Sequence, residues 1–257
     1  MDYARILSEE IGFRTVGTKE HAIADAWMVQ QANLFKKQCE KIVATTGRKL
    51  ECEVSRQEGS GHHRLVTHCP RLRQIAYSAH SFDMMGKRLY KTYVNLSNIV
   101  VRVSDGTPEG KEHALLVNAH LDSTLPSPGA ADDALSVGVM LECMRVLINT
   151  PGWSPKHAII FCESLHYLPI PYGIKTSKVF NHAEESLQDG SHLFSTQHPW
   201  APTARAVLNL EAAGTTGREL LFQATSEQMI EAYSHVPRPY GTVFANDIFS
   251  SGIIMSE

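Results

Sequence analysis

The chain predicts an α/β fold: a central mixed, mostly parallel, twisted sheet sandwiched between helices. Three features carry that expectation. Short, unbroken apolar runs at 114–118 and 158–161 have the pattern of strands buried on both faces. Between them, residues 134–148 place Ala134, Val137, Leu141, Met144 and Ile148 on one helical face, which completes a β-α-β unit. Strand-like and helix-like stretches then keep alternating to about residue 233, the order of an α/β sandwich.

The elements follow in chain order. Residues 18–42 carry Ile23, Trp27, Leu34, Phe35 and Ile42 at helical spacing, with Thr18 placed to cap the start. Residues 49–66 and 90–103 alternate β-branched or aromatic residues with polar ones, as half-buried strands do, and 67–89 is the least patterned stretch. The tripeptide Asn95-Leu96-Ser97 is a glycosylation sequon that matters only in the secretory pathway. The turn residues Pro151-Gly152 end the helix at 134–148. A helix near 185–197, strands at 206–210 and 219–223, and a short helix near 227–233 complete the pattern. No internal repeat interrupts what reads as a single domain over 1–257.

Composition removes several classes of function. With 43% hydrophobic and 20% charged residues the 257-residue chain can bury a core, so disorder is not expected. The 24 basic against 27 acidic residues give no footprint for nucleic acid. The sequence has neither a signal-peptide pattern at its start nor an apolar run near the roughly 18 residues a membrane span needs, so no membrane segment is expected in it. Cysteines at 39, 52, 69, 143 and 162 include no C-x-x-C pair, which excludes a zinc ribbon and leaves the redox compartment open.

Ionisable residues gather where the central strands end. Residues 114–118 run into His120-Leu121-Asp122, and the crevice beyond strand carboxyl ends is where open α/β sheets bind ligands. An Asp two residues on can take the second imidazole N–H and raise ligand basicity, although a strand-end His in a turn is the plainer explanation of that tripeptide alone. Asp132-Asp133 opens the next helix, where one carboxylate can cap the free N–H groups. The second carboxylate needs a cation or a shared proton to relieve repulsion. Glu184-Glu185 poses the same problem after the strand at 158–161, with a solvated helix start as the alternative, and Glu211 is a third strand-terminal acid. His62-His63 with His68-Cys69 belongs to a solvent-facing loop more simply than to a separate metal site.

In that order, His120, Asp122, Asp132, Glu184, Glu185 and Glu211 form a family pattern. The words NAHLDS at 118–123, PGAADDALSVGVMLECMRVL at 128–147, NHAEESLQDGS at 181–191 and LNLEAAG at 208–214 resemble the zinc aminopeptidases with a co-catalytic metal pair. This is the family of bacterial leucyl aminopeptidases, glutamate carboxypeptidase and the endoplasmic reticulum metallopeptidases. IGFRTVGT at 11–18 resembles its N-terminal edge, and NLEAAG is most similar to the fungal and animal membrane-bound branch. The resemblance implies two zinc ions per domain, with Asp132 bridging, His120 and Glu211 on one ion and Glu185 on the other. It also implies Glu184 as general base, Asp122 orienting His120, Asp133 as a cap or supporting group, and a cis peptide between Asp132 and Asp133. A peptide or protein is the implied substrate, and the lumen of the endoplasmic reticulum or vacuole the implied location.

Two departures accompany the resemblance. The family's last metal ligand is a His well beyond the NLE strand, and the sequence stops at Glu257 before it, so the domain is expected to be incomplete and the second zinc short of one ligand. His235 does not match that motif. Residues 162–179 separate the strand from the Glu pair that should follow it directly, and are expected to be an insertion, either a surface loop or a retained intron. The chain as written is therefore expected to be an impaired peptidase. A non-catalytic interaction domain and a one-zinc glutaminyl cyclase-like enzyme are the alternatives on this fold. Ala134-Leu135-Ser136-Val137-Gly138 lacks the first Gly of a nucleophile elbow and lies in a helical pattern, which argues against a serine hydrolase.

Overall fold

The computed structural model describes residues 2–66, 88–125, 127–162, 185, 188–212, 217–244 and 246–247. The short helix α1 (Asp2–Arg5) runs into a wider helical turn at Ile6–Ile11. Helix α2 (Lys19–Thr46) starts where the Thr18 side chain accepts the His21 backbone N–H. It stops at Gly47, which takes the left-handed conformation, φ 66°, while donating its N–H to the Val43 carbonyl. Strands β1 (Glu51–Val66) and β2 (Arg88–Ser104) follow, then α3 (Pro108–Glu112), β3 (Ala114–Asn118), α4 (Ser136–Asn149), β4 (Ala158–Cys162), α5 (Asp189–Gln197), β5 (Ala204–Asn209) and α6 (Glu227–Ser234).

The five strands form one mixed sheet in the order β1-β2-β4-β3-β5. β3 is parallel to both β4 and β5, and β2 is antiparallel to β4. In this register Asn118 lies opposite both Cys162 and Asn209, so three carboxyl ends finish level. Alternation along the strands then builds two cores. Val101, Val103, Val117 and Phe161 join the residues of α2 and α4 in one, whereas Val100, Leu116, Ile160 and Cys162 join Phe194 of α5 and Ala201 in the other. Helices cover both faces, as the unbroken apolar strands require.

Several sequence expectations shift. α2 buries Ala24, Met28, Ala32, Phe35 and Cys39, while Ile23 and Leu34 are exposed, so its inner face is rotated from the expected one. Trp27 and Ile42 lie at its margin. The helix expected from 185 begins at Asp189, because Gln188 occupies the left-handed region, φ 66°, and cannot extend it backwards. The strand expected at 219–223 is an isolated bridge between Leu221 and Gly241. α3 was not expected; Thr107 caps it, with Pro108 at its first position. The carboxyl end of α2 is joined to β1 by a disulfide between Cys39 and Cys52.

The chain divides into two compact units, one of Met1–Gly61, Tyr93–Tyr172 and Val179–Ala213, the other of His62–Thr92, Gly173–Lys178 and Gly214–Glu257. His120, Asp132 and Glu211 belong to the first. Of the proposed insertion only Cys162 is described, as the last residue of β4, and residues 163–179 lie outside the described set, as do His68 and Cys69. No helix among the described residues is long and apolar enough to cross a membrane.

Candidate metal centre

The site is assembled from the level ends of β3 and β5 and from the turn that leads into α4. Past Asn118 the Leu210 N–H donates to the Asn118 carbonyl at 2.9 Å, and the Asn118 side-chain amide donates to Asn209 Oδ1 at 2.5 Å. These bonds keep the chain segments carrying His120 and Glu211 side by side. The turn carrying Asp132 has non-helical dihedrals at Asp132 and Asp133, and the peptide between them is cis, as the resemblance implies.

Three ligand atoms, one each from His120, Asp132 and Glu211, lie within 4.8 Å of one another. His120 is fully buried, with Nε2 2.9 Å from Asp132 Oδ1 and 3.5 Å from Glu211 Oε1. Its other nitrogen, Nδ1, lies 3.1 Å from the Asp122 carbonyl oxygen and 3.4 Å from Asp122 Oδ1. Asp122 is therefore where an orienting partner of the ring should be. Burial alone would lower the His120 pKa, but hydrogen bonding to Asp122, Asp132 and Glu211 overrides it and holds the pKa well above the usual histidine value.

Asp133 does not face the same point. Its Oδ2 accepts the His120 backbone N–H at 3.1 Å, so it braces the segment that carries the imidazole. Burial, with the nearby negative charge of Glu211, pushes its carboxyl well above the ordinary range. Glu185 joins from another side: its backbone N–H donates to Asp122 Oδ2 at 3.2 Å. Desolvation by its neighbours and the charges of Asp132, Asp122 and Glu211 push its carboxyl up to about 7, although the residue as a whole is exposed. Glu185 is close enough to feel the site but is not one of the three convergent ligands. Glu184 lies outside the described residues. A cleft of about 310 Å³ opens beside Glu185, lined also by Thr15, Val16, Asp122, Ser123, Thr124 and Leu125.

The residues present suit a zinc ion. One imidazole and two carboxylates are its ordinary nitrogen and oxygen donors. Among the described residues Glu211 Oε2 is buried with no hydrogen-bond partner, a costly state for a carboxylate oxygen that a bound cation would relieve. Asp133, expected as a cap or supporting group, supports the His120 backbone. One feature escaped the sequence. Arg14, inside the segment IGFRTVGT, is fully buried behind the site, and nothing in the sequence marks it apart from an ordinary surface arginine.

A mixed sheet covered on both faces, with histidine and carboxylates at its carboxyl edge, defines a class: the α/β fold of the zinc aminopeptidases. A zinc aminopeptidase of Bacillus subtilis matches that fold with a TM-score of 0.52 at 16% identity, over 93% of this chain and 78% of that one. The model of peptidase family M28 matches residues 98–164 and 173–257, and the chain belongs to that family. It is 45% identical over 251 residues to the putative endoplasmic reticulum metallopeptidase 1 of Schizosaccharomyces pombe, covering 98% of this chain and 26% of that protein. It is 36% identical to endoplasmic reticulum metallopeptidase 1 of Homo sapiens, covering 96% of this chain and 23% of that protein. The chain thus spans about a quarter of the length of these curated relatives.

Proposed function

We propose that this chain carries the peptidase site of a zinc-dependent aminopeptidase that acts on peptides or proteins. The observation that carries this reading is the convergence of His120, Asp132 and Glu211 within 4.8 Å at one sheet edge, in a member of peptidase family M28. His120, Asp132 and Glu211 would hold one zinc, and Asp132 and Glu185 would contribute to a second. Bound zinc supplies Lewis acidity, which activates water near neutral pH and stabilises developing oxyanion charge. Asp122 holds the His120 ring with its Nε2 turned to the site. Glu184, by family resemblance, takes the proton of the attacking water and passes it to the leaving amine. The cleft beside Glu185 is large enough for the end of a peptide and is the proposed substrate entry.

The same reading treats 1–257 as one peptidase domain with 162–179 as an insertion, and places it in the lumen of the endoplasmic reticulum or vacuole. The names of the relatives and the Cys39–Cys52 disulfide, a bond favoured in oxidising compartments, support that location. The test is hydrolysis of an aminoacyl reporter with and without a chelator, for the full-length protein and its His120→Ala variant, the 257-residue chain alone being expected to hydrolyse it only weakly. Activity should vanish on chelation, return with zinc, and fall about 10²- to 10³-fold in the variant, the scale of losing one transition-state-stabilising group. A zinc-loaded, folded protein that hydrolyses no peptide would overturn the peptidase reading and favour an interaction domain, or a glutaminyl cyclase-like enzyme if it cyclised N-terminal glutamine instead.

A further inference from the structure

Arg14 precedes α2 and has no place in the ligand set, yet it is among the largest fully buried side chains of the described residues. Its guanidinium donates along three directions. Nε reaches the Leu121 carbonyl at 2.7 Å, between His120 and Asp122. Nη1 reaches the Pro128 carbonyl at 2.7 Å and Nη2 the Gly129 carbonyl at 3.2 Å, just before Asp132. Nη1 also donates to the carbonyls of Leu7, at 2.7 Å, and Gly12, at 3.0 Å. The Arg14 backbone is fixed as well, since its N–H donates to Ser123 Oγ at 2.9 Å and its carbonyl accepts the Ser123 N–H at 3.4 Å.

One planar fork therefore ends both ligand-bearing segments and anchors them to the N-terminal helical turn. The packing is tight at that junction. Gly129 adopts φ +62°, and a Cβ there would lie 2.3 Å from the Asp132 carbonyl oxygen, 2.8 Å from Ser123 Cβ and 3.0 Å from Arg14 Nη2. Burying a guanidinium is costly, and a purely packing role would be filled more cheaply by an apolar side chain. What the guanidinium adds is fixed direction: its rigid donors set the separation between the segment of His120 and the turn of Asp132, which a lysine's single point charge cannot do.

We propose that Arg14 is a positioning residue for the metal centre, holding His120 and Asp132 at the spacing that zinc requires. This rests on the zinc-site reading above. The experiment compares zinc dissociation constants, measured by competition with a chromophoric chelator, for apo wild type and Arg14→Gln, alongside the thermal midpoint of each apo protein. Supporting partners of metal ligands are worth about 10- to 100-fold in metal affinity, and a loss of that size is expected in folded Arg14→Gln. A lower apo midpoint with an unchanged zinc constant would reduce Arg14 to a fold-stabilising residue and overturn the proposal. Absence of zinc binding by the wild type itself would overturn the zinc-site reading, and the proposal with it. Should Arg14→Gln fail to fold, Arg14→Lys, which keeps the charge and loses the fork, makes the same comparison: weakened zinc binding supports the proposal and wild-type binding refutes it.

Discussion

Acid should weaken this protein through one buried histidine that is not part of the His120, Asp132 and Glu211 cluster. His198 follows α5 and is 4% exposed. The Trp200 backbone N–H donates to its Nδ1 at 3.2 Å, so Nδ1 carries no proton and Nε2–H is left to donate to Ser55 Oγ, also at 3.2 Å. The ring stacks on Phe194 with centroids 4.8 Å apart. A second proton would face the Trp200 N–H and place a charge in a buried site near the Arg102 guanidinium. Burial first, and then Arg102, lower the His198 pKa to about 4 from 6.5. At about 1.4 kcal/mol per pKa unit the difference amounts to about 3 kcal/mol. The sign follows from which state takes the proton. Above the unfolded value His198 is neutral in both states and contributes no pH dependence; as pH falls below about 6.5 the unfolded chain is protonated first and stability declines, levelling off below about 4. Urea unfolding of wild type and His198→Gln between about pH 7.5 and pH 4 isolates this contribution, because the other acid-sensitive groups are common to both. The variant should start less stable and lose about 3 kcal/mol less on acidification. Equal pH slopes for the two proteins would refute the assignment.

The Cys39–Cys52 disulfide closes a short loop, with a sequence separation of 13, and Cys39→Ser should cost about 3 kcal/mol, read as a lower urea midpoint; an unchanged midpoint would mean that the bridge contributes nothing. Leu116, fully buried in the core shared with α5, should cost about 2 to 5 kcal/mol when cut to alanine, whereas Leu208→Ala, on a side chain 46% exposed, should cost under about 1 kcal/mol. Similar costs at the two sites would contradict the two-faced core.

The β3-α4-β4 unit was legible in the sequence because its signals are local: continuous apolar strands, a helical face from Val137 to Ile148, and turn residues at both ends. The inner face of α2 was not. Its large residues Ile23 and Leu34 suggested one stripe, but the face that turns inward carries Ala24, Met28, Ala32, Phe35 and Cys39 and is set by the elements packed against it. Glu219 to Gln223 has strand-like residues but makes only an isolated bridge, since strand pattern proposes pairing and only a neighbour completes it. Within the site, His120, Asp132 and Glu211 stood out as strand-end ionisable residues in the family's order. The part played by Arg14 is invisible in sequence, because its partners are backbone carbonyls, which every residue has.

The register of β3 bears on how the protein is made. β3 and β4 pair across a single helix, but Asn118 meets Asn209 across a separation of 91 residues. During synthesis β3 can dock on β4 early, while its other edge, carrying the apolar run Leu115, Leu116 and Val117, stays unpaired until β5 has emerged. An open apolar edge at the centre of a growing sheet is a template for wrong partners, including other nascent chains. The strand that closes it leads directly into Glu211. Closing the sheet edge and bringing Glu211 beside His120 and Asp132 are thus one event, so the cluster is complete only when the chain ceases to be sticky.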